Sequence, residues 1–171
     1  MTNTPFTLNT IGIISSPFKE KFGIPRQPAL AKNITSEIII APSYNRIEAF
    51  KALEQFSHLW LTFVFHQSIR SEWKPSVRPP RLGGNKKIGV FASRSPFRPN
   101  HLGLSAVELV NIKHTNNQIS IVIRGADLVD GTPIVDIKPY IPYSDALPDA
   151  TAGYADEAPH KPLKVIYSKL A

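Results

Sequence analysis

The sequence predicts an all-β fold, because many short segments alternate apolar and polar residues or are rich in β-branched residues. The 16 prolines are scattered through the 171 residues, which favours short strands joined by rigid turns over long helices. A hydrophobic content of 42% is enough to build one core of ordinary domain size. An antiparallel sheet of this size must close or cover its edges, so the alternatives are a barrel and a sandwich.

Eight segments have a strand pattern. In chain order they are "LNTIGIIS" (8–15), "SEIIIA" (36–41), "HLWLTFVFH" (58–66), "KIGVFA" (87–92), "LGLSAVELVNIK" (102–113), "QISIVIRGA" (118–126), "PIVDIKPY" (133–140) and "LKVIYS" (163–168). The asparagines of "HTNNQ" (114–118) tolerate the left-handed backbone of hairpin turns, so this is the clearest predicted hairpin. A short helix is predicted near residues 42–55, where Ile47, Phe50 and Leu53 would share one face.

We expect one domain over residues 1–171, because no internal repeat, low-complexity block or long linker divides the chain. The polar, proline-rich segment 144–162 is predicted to be a long loop. No apolar run approaches the roughly 20 residues that span a bilayer, and the first residues lack a signal-peptide pattern, so we expect a cytoplasmic protein without a membrane partner. The absence of cysteine excludes disulfides, thiolate metal sites and thiol nucleophiles.

The positive charge of the chain is concentrated in one segment. Between Arg70 and Arg98, eight basic residues accompany the single acidic residue Glu72, whereas the remaining sequence holds twelve basic and twelve acidic residues. The segment therefore carries the whole net charge of +7. Such a concentration indicates a polyanionic partner, and the alternative is a solvated loop that aids solubility.

The first candidate binding segment is "FKEKFGIPRQP" (18–28). Pro25 and Pro28 bracket Arg26 and Gln27, and they would hold these two long polar side chains on a stiff, extended backbone. An ordinary polar connection is the alternative interpretation.

The second candidate segment is the end of "FSHLWLTFVFHQ" (56–67), where His66 and Gln67 would close a strand at the rim of the sheet. A histidine in this position is also common as a hydrogen-bonded structural residue. His58 and His66 are eight strand residues apart, too far to share an ion, so we expect no metal site.

The third candidate segment is "RGADLVDGTPIVDIKPYIPYSD" (124–145). Residues 130–133, Asp-Gly-Thr-Pro, are a typical turn sequence. In the following strand, alternation puts Asp136, Lys138 and Tyr140 on one face, where a carboxylate, an ammonium and a phenol would form a row of hydrogen-bonding groups. A solvated strand face would also account for this row.

The common enzyme templates are absent: the chain has no phosphate-binding G-x-x-x-x-G-K-[ST] loop, no G-x-G-x-x-G, no G-x-S-x-G and no H-E-x-x-H. Five other segments lie in order from about Ile11 to Asp145: "IGIISSPFKEKFGIPRQP", "FSHLWLTFVFH", "RPPRLGGNKKIGVFASRSPFRPN", "LGLSAVEL" and "ADLVDGTPIVDIKPYIPYSD". Together they resemble the TsaA-like family, and closely its bacterial branch, tRNA methyltransferase O.

The resemblance implies a single-sheet, closed β-barrel of about seven or eight mostly antiparallel strands with one short helix and long loops. It implies an S-adenosylmethionine-dependent enzyme that methylates N6 of threonylcarbamoyl-adenosine at position 37 of threonine tRNAs. It also implies a homodimer with the cofactor site near the subunit interface. Bacterial members carry a further C-terminal domain, so we expect this chain to correspond to the barrel domain without it.

The resemblance also implies the residues that contact the cofactor. These are Pro25, Arg26, Gln27, His66, Gln67, Arg94, Leu104, Asp130, Gly131, Thr132 and Pro133. They include members of all three candidate segments and part of the basic segment. For the chemical step we expect Asp136 or another acceptor to receive the substrate proton, with Lys138 and Tyr140 holding the substrate.

The basic segment is the predicted contact with the anticodon stem-loop of tRNA. The predicted RNA-contacting residues are Arg78, Arg81, Lys86, Lys87 and Arg98. Gly83 and Gly84 would let the RNA backbone come close, and Phe91 or Phe97 would pack against a splayed base. Two alternatives remain open: a non-catalytic RNA-binding barrel and a barrel that senses a small ligand.

Overall fold

The computed structural model describes residues 5–25, 27–28 and 33–156. The described strands are β1 (Gly12–Ser15), β2 (Thr35–Ile40), β3 (His58–Val64), β4 (Ser76–Val77), β5 (Ile88–Gly89), β6 (Leu102–Thr115), β7 (Gln118–Arg124) and β8 (Pro133–Pro139). Within these ranges the α-helical content is one turn, α1 (Pro142–Asp145). The protein is therefore mostly β, as the sequence predicts.

Six strands form a closed antiparallel barrel in the order β1-β2-β7-β6-β3-β8, and β8 pairs back with β1. This confirms the predicted fold class, and the described residues contain six barrel strands against the seven or eight predicted. Of the segment 87–92 only Ile88–Gly89 is a strand, because the chain turns into a 3₁₀ helix at Val90–Ala92. This short β5 pairs with β4 in a separate sheet. The predicted strand at 163–168 lies outside the described residues.

The barrel interior is filled by alternate side chains of the strands. On β3, Leu59, Leu61 and Phe63 are at most 3% exposed, whereas the intervening Trp60 and Thr62 are partly exposed. The buried core consists of Ile14, Ile38, Ile40, Leu59, Leu61, Phe63, Val107, Ile119, Ile121, Ile123, Ala126, Leu128 and Ile134. Burial of each large aliphatic side chain contributes about 1.5–3 kcal/mol, so this core is the main stabilising element of the barrel.

The predicted hairpin joins β6 to β7. Asn116 and Asn117 have φ angles of 51° and 59°, and Thr115 pairs with Gln118 across the two-residue turn. Both asparagines therefore adopt the left-handed conformation that this turn requires, and the hairpin prediction is confirmed.

The predicted helix at residues 42–55 is instead a series of 3₁₀ turns. These are Pro42–Tyr44, Ile47–Phe50 and Leu53–Gln55. Ala52 has a left-handed φ of 68°, which interrupts any continuous helix. Of the three residues predicted to share a face, Phe50 and Leu53 pack against the core, but Ile47 is 52% exposed. The apolar spacing thus marked a packed surface and not a regular helix.

From the end of β8 to Asp156 the chain is largely irregular. It forms α1, and in the described part of the predicted loop, up to Asp156, it forms one further 3₁₀ turn (Gly153–Ala155). None of the helices within the described ranges has the length and apolar character needed to cross a membrane.

Candidate active site

A cavity of about 920 Å³ lies beside the paired strands β3 and β6. Its walls come from the β1–β2 loop, the segment after β3, the segment before β6 and the turn between β7 and β8. Small-molecule sites typically measure about 300–1,000 Å³, so the cavity is large enough for a ligand. Apolar side chains such as Phe63, Phe65 and Leu128 line it together with polar and charged ones. This lining suits a ligand that has both apolar and polar parts.

Most of the predicted cofactor contacts line this cavity. They are Pro25, Gln27, His66, Gln67, Arg94, Leu104 and Thr132. Arg26 lies outside the described residues. The barrel therefore brings together members of three loop segments that are far apart in sequence. Thr132 is 2% exposed, and its Oγ1 donates a hydrogen bond to the Val129 carbonyl at 2.7 Å.

The remaining predicted contacts, in the turn before β8, do not line the cavity. Asp130 Oδ1 accepts a hydrogen bond from the Ser16 amide, and Oδ2 pairs with Lys19 Nζ, both at 2.8 Å. The hydrogen bond from Lys19, with that from the Ser16 amide, lowers the pKa of Asp130. Gly131 has a φ of 76°, and Pro133 begins β8. These residues hold the turn against the end of β1.

Two hydrogen bonds join the described part of the β1–β2 loop to other walls of the cavity. Arg94 Nη1 donates to Gln27 Oε1 at 2.5 Å, which joins the basic segment to the β1–β2 loop. Lys21 Nζ donates to the carbonyl oxygen of Gln67, which joins the same loop to the segment after β3. The loop is thus held over the cavity from both sides.

His66 has a buried Nδ1 atom without a hydrogen-bond partner in the described structure. Buried polar atoms are normally paired, so this atom favours a ligand that brings a polar group into the cavity. Among the described residues, no group of three or more His, Cys, Asp or Glu side chains is arranged to hold a metal ion.

Asp127 is a cavity residue that the sequence analysis missed. Its Oδ1 accepts a 2.7 Å hydrogen bond from the hydroxyl of Ser105, which is 2% exposed. Burial raises the pKa of Asp127, although the bond from Ser105 and the charge of Arg94 oppose this shift. The cavity therefore contains a carboxylate that takes up a proton more readily than an exposed aspartate does.

One feature of the sequence, the serine at position 105, bears on this carboxylate. Gly103, Ser105 and Val107 alternate along β6 and pair with the inward-facing residues of β3. A hydroxyl at an inward position of an apolar strand needs a partner, since buried polar groups are hydrogen-bonded. The serine in "LGLSAVEL" could therefore have indicated a buried polar neighbour, but not which residue it is.

Tyr140 lines the same cavity as the predicted cofactor contacts. Its ring centroid lies 5.5 Å from that of Trp60. Trp60 Nε1 in turn donates to Asp145 Oδ2 at 2.9 Å, and this oxygen also accepts the Ile141 amide at 2.8 Å. These contacts fix the position of Tyr140 at the end of β8.

The structure does not bring Asp136 and Lys138 into this cavity. Asp136 lines a second, smaller cavity of about 320 Å³, which Phe50 and Leu53 also line. Lys138 is exposed, and its Nζ lies 3.8 Å from Asp136 Oδ2. The predicted row is therefore divided, with only Tyr140 next to the other site residues.

The basic segment forms an exposed surface around the β4–β5 sheet. Four of the predicted RNA contacts, Arg78, Arg81, Lys86 and Lys87, are exposed. Gly83 and Gly84, which lie between these pairs, have φ angles of 71° and 73° that favour glycine. Arg98 differs from the other four: it is partly buried, lines the large cavity and donates to the Ser93 carbonyl at 3.0 Å.

Two aromatic groups accompany the basic residues. Trp73 and Phe91 are stacked with ring centroids 6.0 Å apart, and they are 46% and 73% exposed. Phe97 is instead covered by Arg70, whose guanidinium carbon lies 4.4 Å from the ring centroid. Of the two phenylalanines predicted to meet a base, Phe91 is the one that the structure leaves accessible.

Comparison with known proteins connects this geometry to one family. Residues 13–146 match the sequence profile described as the tRNA-methyltransferase O N-terminal domain. The chain is 50% identical over 163 residues to the tRNA (adenine(37)-N6)-methyltransferase of Escherichia coli, covering 95% of this chain and 69% of that protein.

A curated relative and a crystal structure from Pseudomonas aeruginosa are also similar. A putative S-adenosylmethionine-dependent methyltransferase, RcsF, is 48% identical, with coverage of 90% of this chain and 64% of the relative. The crystal structure of TrmO superposes with a TM-score of 0.76 at 41% identity, with coverage of 91% and 65%. The chain thus spans about two thirds of the length of these relatives.

Proposed function

The chain belongs to the tRNA-methyltransferase O N-terminal domain family, and on this basis we propose that it transfers a methyl group from S-adenosylmethionine to N6 of an adenine in tRNA. The target is position 37, which the name of the Escherichia coli relative specifies. The resemblance to the TsaA-like family adds threonylcarbamoyl-adenosine of threonine tRNAs as the nucleoside. The observation that carries the proposal is a large, mixed cavity that shares Arg94 and Arg98 with the basic segment.

The residues of the cavity fit S-adenosylmethionine. The donor supplies a methyl group bonded to a positively charged sulfur, which makes the methyl carbon electrophilic. Gln27 and Gln67 offer amide groups, and His66 offers its unpartnered Nδ1 to the polar parts of the ligand. Arg94 suits a carboxylate, while Leu104 offers an apolar contact.

The other cofactor contacts remain part of the proposal through the resemblance alone. They are Arg26, Asp130, Gly131 and Pro133.

We also propose a homodimer, because Leu104 lines the cavity while its side chain is 56% exposed, and a second copy would cover it. A monomer mass by light scattering in solution would contradict this proposal. We propose a cytoplasmic location as well, because the proposed substrate is a tRNA.

The exposed basic surface supports the anticodon stem-loop as the RNA partner. Arg78, Arg81, Lys86 and Lys87 would contact phosphates, and stacked aromatic rings such as Trp73 and Phe91 suit an unpaired base. Arg98, at the cavity, would contact the RNA where it approaches the reacting groups. Tyr140 would hold the substrate inside the cavity, with Lys138 contacting it from outside.

Methyl transfer can be tested directly with labelled S-adenosylmethionine and bulk bacterial tRNA, followed by nucleoside analysis. We expect label in N6-methylated threonylcarbamoyl-adenosine. Arg94→Ala should reduce labelling strongly, because it removes a cavity-lining guanidinium that bonds Gln27. Arg46→Ala removes an exposed arginine outside this cavity and should leave labelling unchanged.

Two outcomes would contradict the proposed function. If the protein binds tRNA but calorimetry detects no S-adenosylmethionine binding, it is a non-catalytic RNA-binding barrel. If it binds the small molecule but transfers no methyl group to RNA, it is a ligand-sensing barrel.

A further inference from the structure

Asp127 and Ser105 form a buried polar pair in the wall of the large cavity. Both residues line the cavity, and the Ser105 hydroxyl donates to Asp127 Oδ1 at 2.7 Å. Ser105 lies on β6, where it pairs with Leu61 of β3, and it is 2% exposed, so it is a firmly held support for the carboxylate. A carboxylate held in this way has a defined position toward a bound substrate.

The proposed reaction needs a group that removes a proton. N6 of the substrate carries one hydrogen that must leave when the nitrogen gains a methyl group. Asp127 and Asp145 are the carboxylates among the described cavity residues. Asp145 Oδ2 already accepts hydrogen bonds from Trp60 Nε1 and the Ile141 amide, so it has a structural role. Asp136 lines the other cavity. These positions favour Asp127.

We propose that Asp127, oriented by Ser105, is the catalytic base that accepts the N6 proton; this inference rests on the proposed function. In the balanced step, N6 forms a bond to the methyl carbon, the carbon–sulfur bond breaks with its electron pair left on sulfur, and the N6 proton moves to Asp127. Arg94, whose charge acts on Asp127, would hold the carboxylate ready for the next proton.

The environment of Asp127 suits this role. Burial raises its pKa, and a base is more effective when its pKa lies closer to the working pH. The other titratable and charged side chains that line the same cavity are Lys21, His66, Arg94, Arg98, Tyr140 and Asp145. Four of these six side chains are basic. A positive charge close to Asp127 favours its ionised form, and Arg94 acts on the Asp127 pKa in this direction.

Asp127→Asn tests the proposal, because it keeps the shape of the side chain and removes its ability to take up a proton. Under single turnover with saturating donor, we expect methyl transfer to slow by about 10²–10⁴-fold. The affinity for S-adenosylmethionine, measured by calorimetry, should stay close to that of the unmodified protein. Ser105→Ala should give a smaller loss of rate, since the carboxylate is still present.

The dependence on pH gives a second signature. The rate of the unmodified protein should rise as the pH passes upward through the Asp127 pKa, because only the ionised form accepts a proton. Asp127→Asn should lose this limb of the profile. Asp149→Asn, which changes an exposed aspartate outside the cavity, is the matched control and should keep both rate and profile.

Thermal unfolding provides a readout that does not depend on activity. The folded state raises the pKa of Asp127, so its stabilising contribution is present below the ordinary aspartate pKa and is lost as the pH rises through the raised value. Asp127→Asn should therefore be more stable than the unmodified protein at neutral pH. This advantage should disappear in acid.

Three results separate the possible failures. If Asp127→Asn weakens S-adenosylmethionine binding and leaves the single-turnover rate unchanged, Asp127 is a cofactor contact and the proposal is overturned. If Asp127→Asn keeps both the full single-turnover rate and the unchanged affinity for S-adenosylmethionine, the proposal is also overturned. If the unmodified protein itself transfers no methyl group, the proposed function fails, and the inference that rests on it fails for that reason.

Discussion

Asp130 shows how one side chain positions a whole turn of the candidate site. Its two carboxylate oxygens bond to the Ser16 amide and to Lys19, on the chain that leaves β1. Thr132 supports the same turn from inside through the Val129 carbonyl. The turn could be predicted from the sequence. The partners of Asp130 could not, because they lie more than 100 positions away in the chain.

Asp130→Asn should lower stability at neutral pH, because it replaces a charge-assisted hydrogen bond and an ion pair with weaker contacts. Since the carboxylate is partly exposed and screened by solvent, we expect a loss of no more than about 1 kcal/mol. The lowered pKa means that the contribution is present above the ordinary aspartate pKa and is lost as the pH falls through the folded-state value.

Chemical denaturation at neutral and acidic pH measures this effect. The difference between Asp130→Asn and the unmodified protein should shrink in acid. Glu20→Gln, which removes a nearby exposed carboxylate, is the control and should have little effect at either pH. An equal loss for Asp130→Asn at all pH values would show that charge is not responsible.

At the scale of elements, β3 and β6 form the wall that the large cavity shares with the barrel core. Gly103 of β6 pairs with Phe63 of β3, and both line the cavity. A Cβ atom at Gly103 would overlap the ring of Phe63, so glycine lets this ring lie across the neighbouring strand. The ring also contacts Phe65 edge-on at a centroid distance of 5.1 Å.

Gly103→Ala should therefore displace Phe63 and destabilise the protein by about 1–3 kcal/mol, the usual cost of overpacking a core. It should also weaken binding of S-adenosylmethionine, because Phe63 and Phe65 line the proposed site. Thermal unfolding and calorimetry measure the two effects. Gly89→Ala is a matched control, since a Cβ atom there meets nothing within 4 Å. Equal stability of the two variants would contradict this account of Gly103.

The elements differ in how well the sequence predicted them. The barrel strands were predictable, because alternation along the chain directly reports which side chains fill the interior. The segment 42–55 was not, since apolar side chains three residues apart fit a 3₁₀ turn as well as an α-helix. The pairing of β4 with β5 could not be predicted either, because each strand has two residues, which is too few to show an alternating pattern.

At the scale of the whole molecule, the net positive charge lies in the segment 70–98, and the other residues together have no net charge. The prediction of a concentrated basic segment needed only counting, and four of its five predicted RNA contacts are exposed. The position of Arg98 required the structure, because a charge count does not distinguish a cavity-lining arginine from a surface one.

Arg78→Ala/Arg81→Ala should weaken tRNA binding at low salt and reduce the slope of log affinity against log salt by about 1 for each lost phosphate contact. Phe91→Ala should weaken binding by about 1–3 kcal/mol without changing the slope, since base stacking releases no counterions. Filter binding over a range of salt concentrations measures both.

A matched control removes the same charge elsewhere. Arg46→Ala/Lys51→Ala changes two exposed basic residues outside the segment 70–98 and should leave affinity and slope nearly unchanged. Unchanged tRNA binding by Arg78→Ala/Arg81→Ala at low salt would remove this surface from the proposed interface.

The closure of the barrel has a consequence for assembly. Because β8 returns to β1, each of the six described barrel strands has a neighbouring strand on both sides, so the described barrel has no terminal edge strand to which another chain could add. A second copy that bound this barrel would attach mainly through side chains on its outer surface. Such an interface can be strengthened, weakened or lost by point substitutions while the ladder of main-chain hydrogen bonds stays intact.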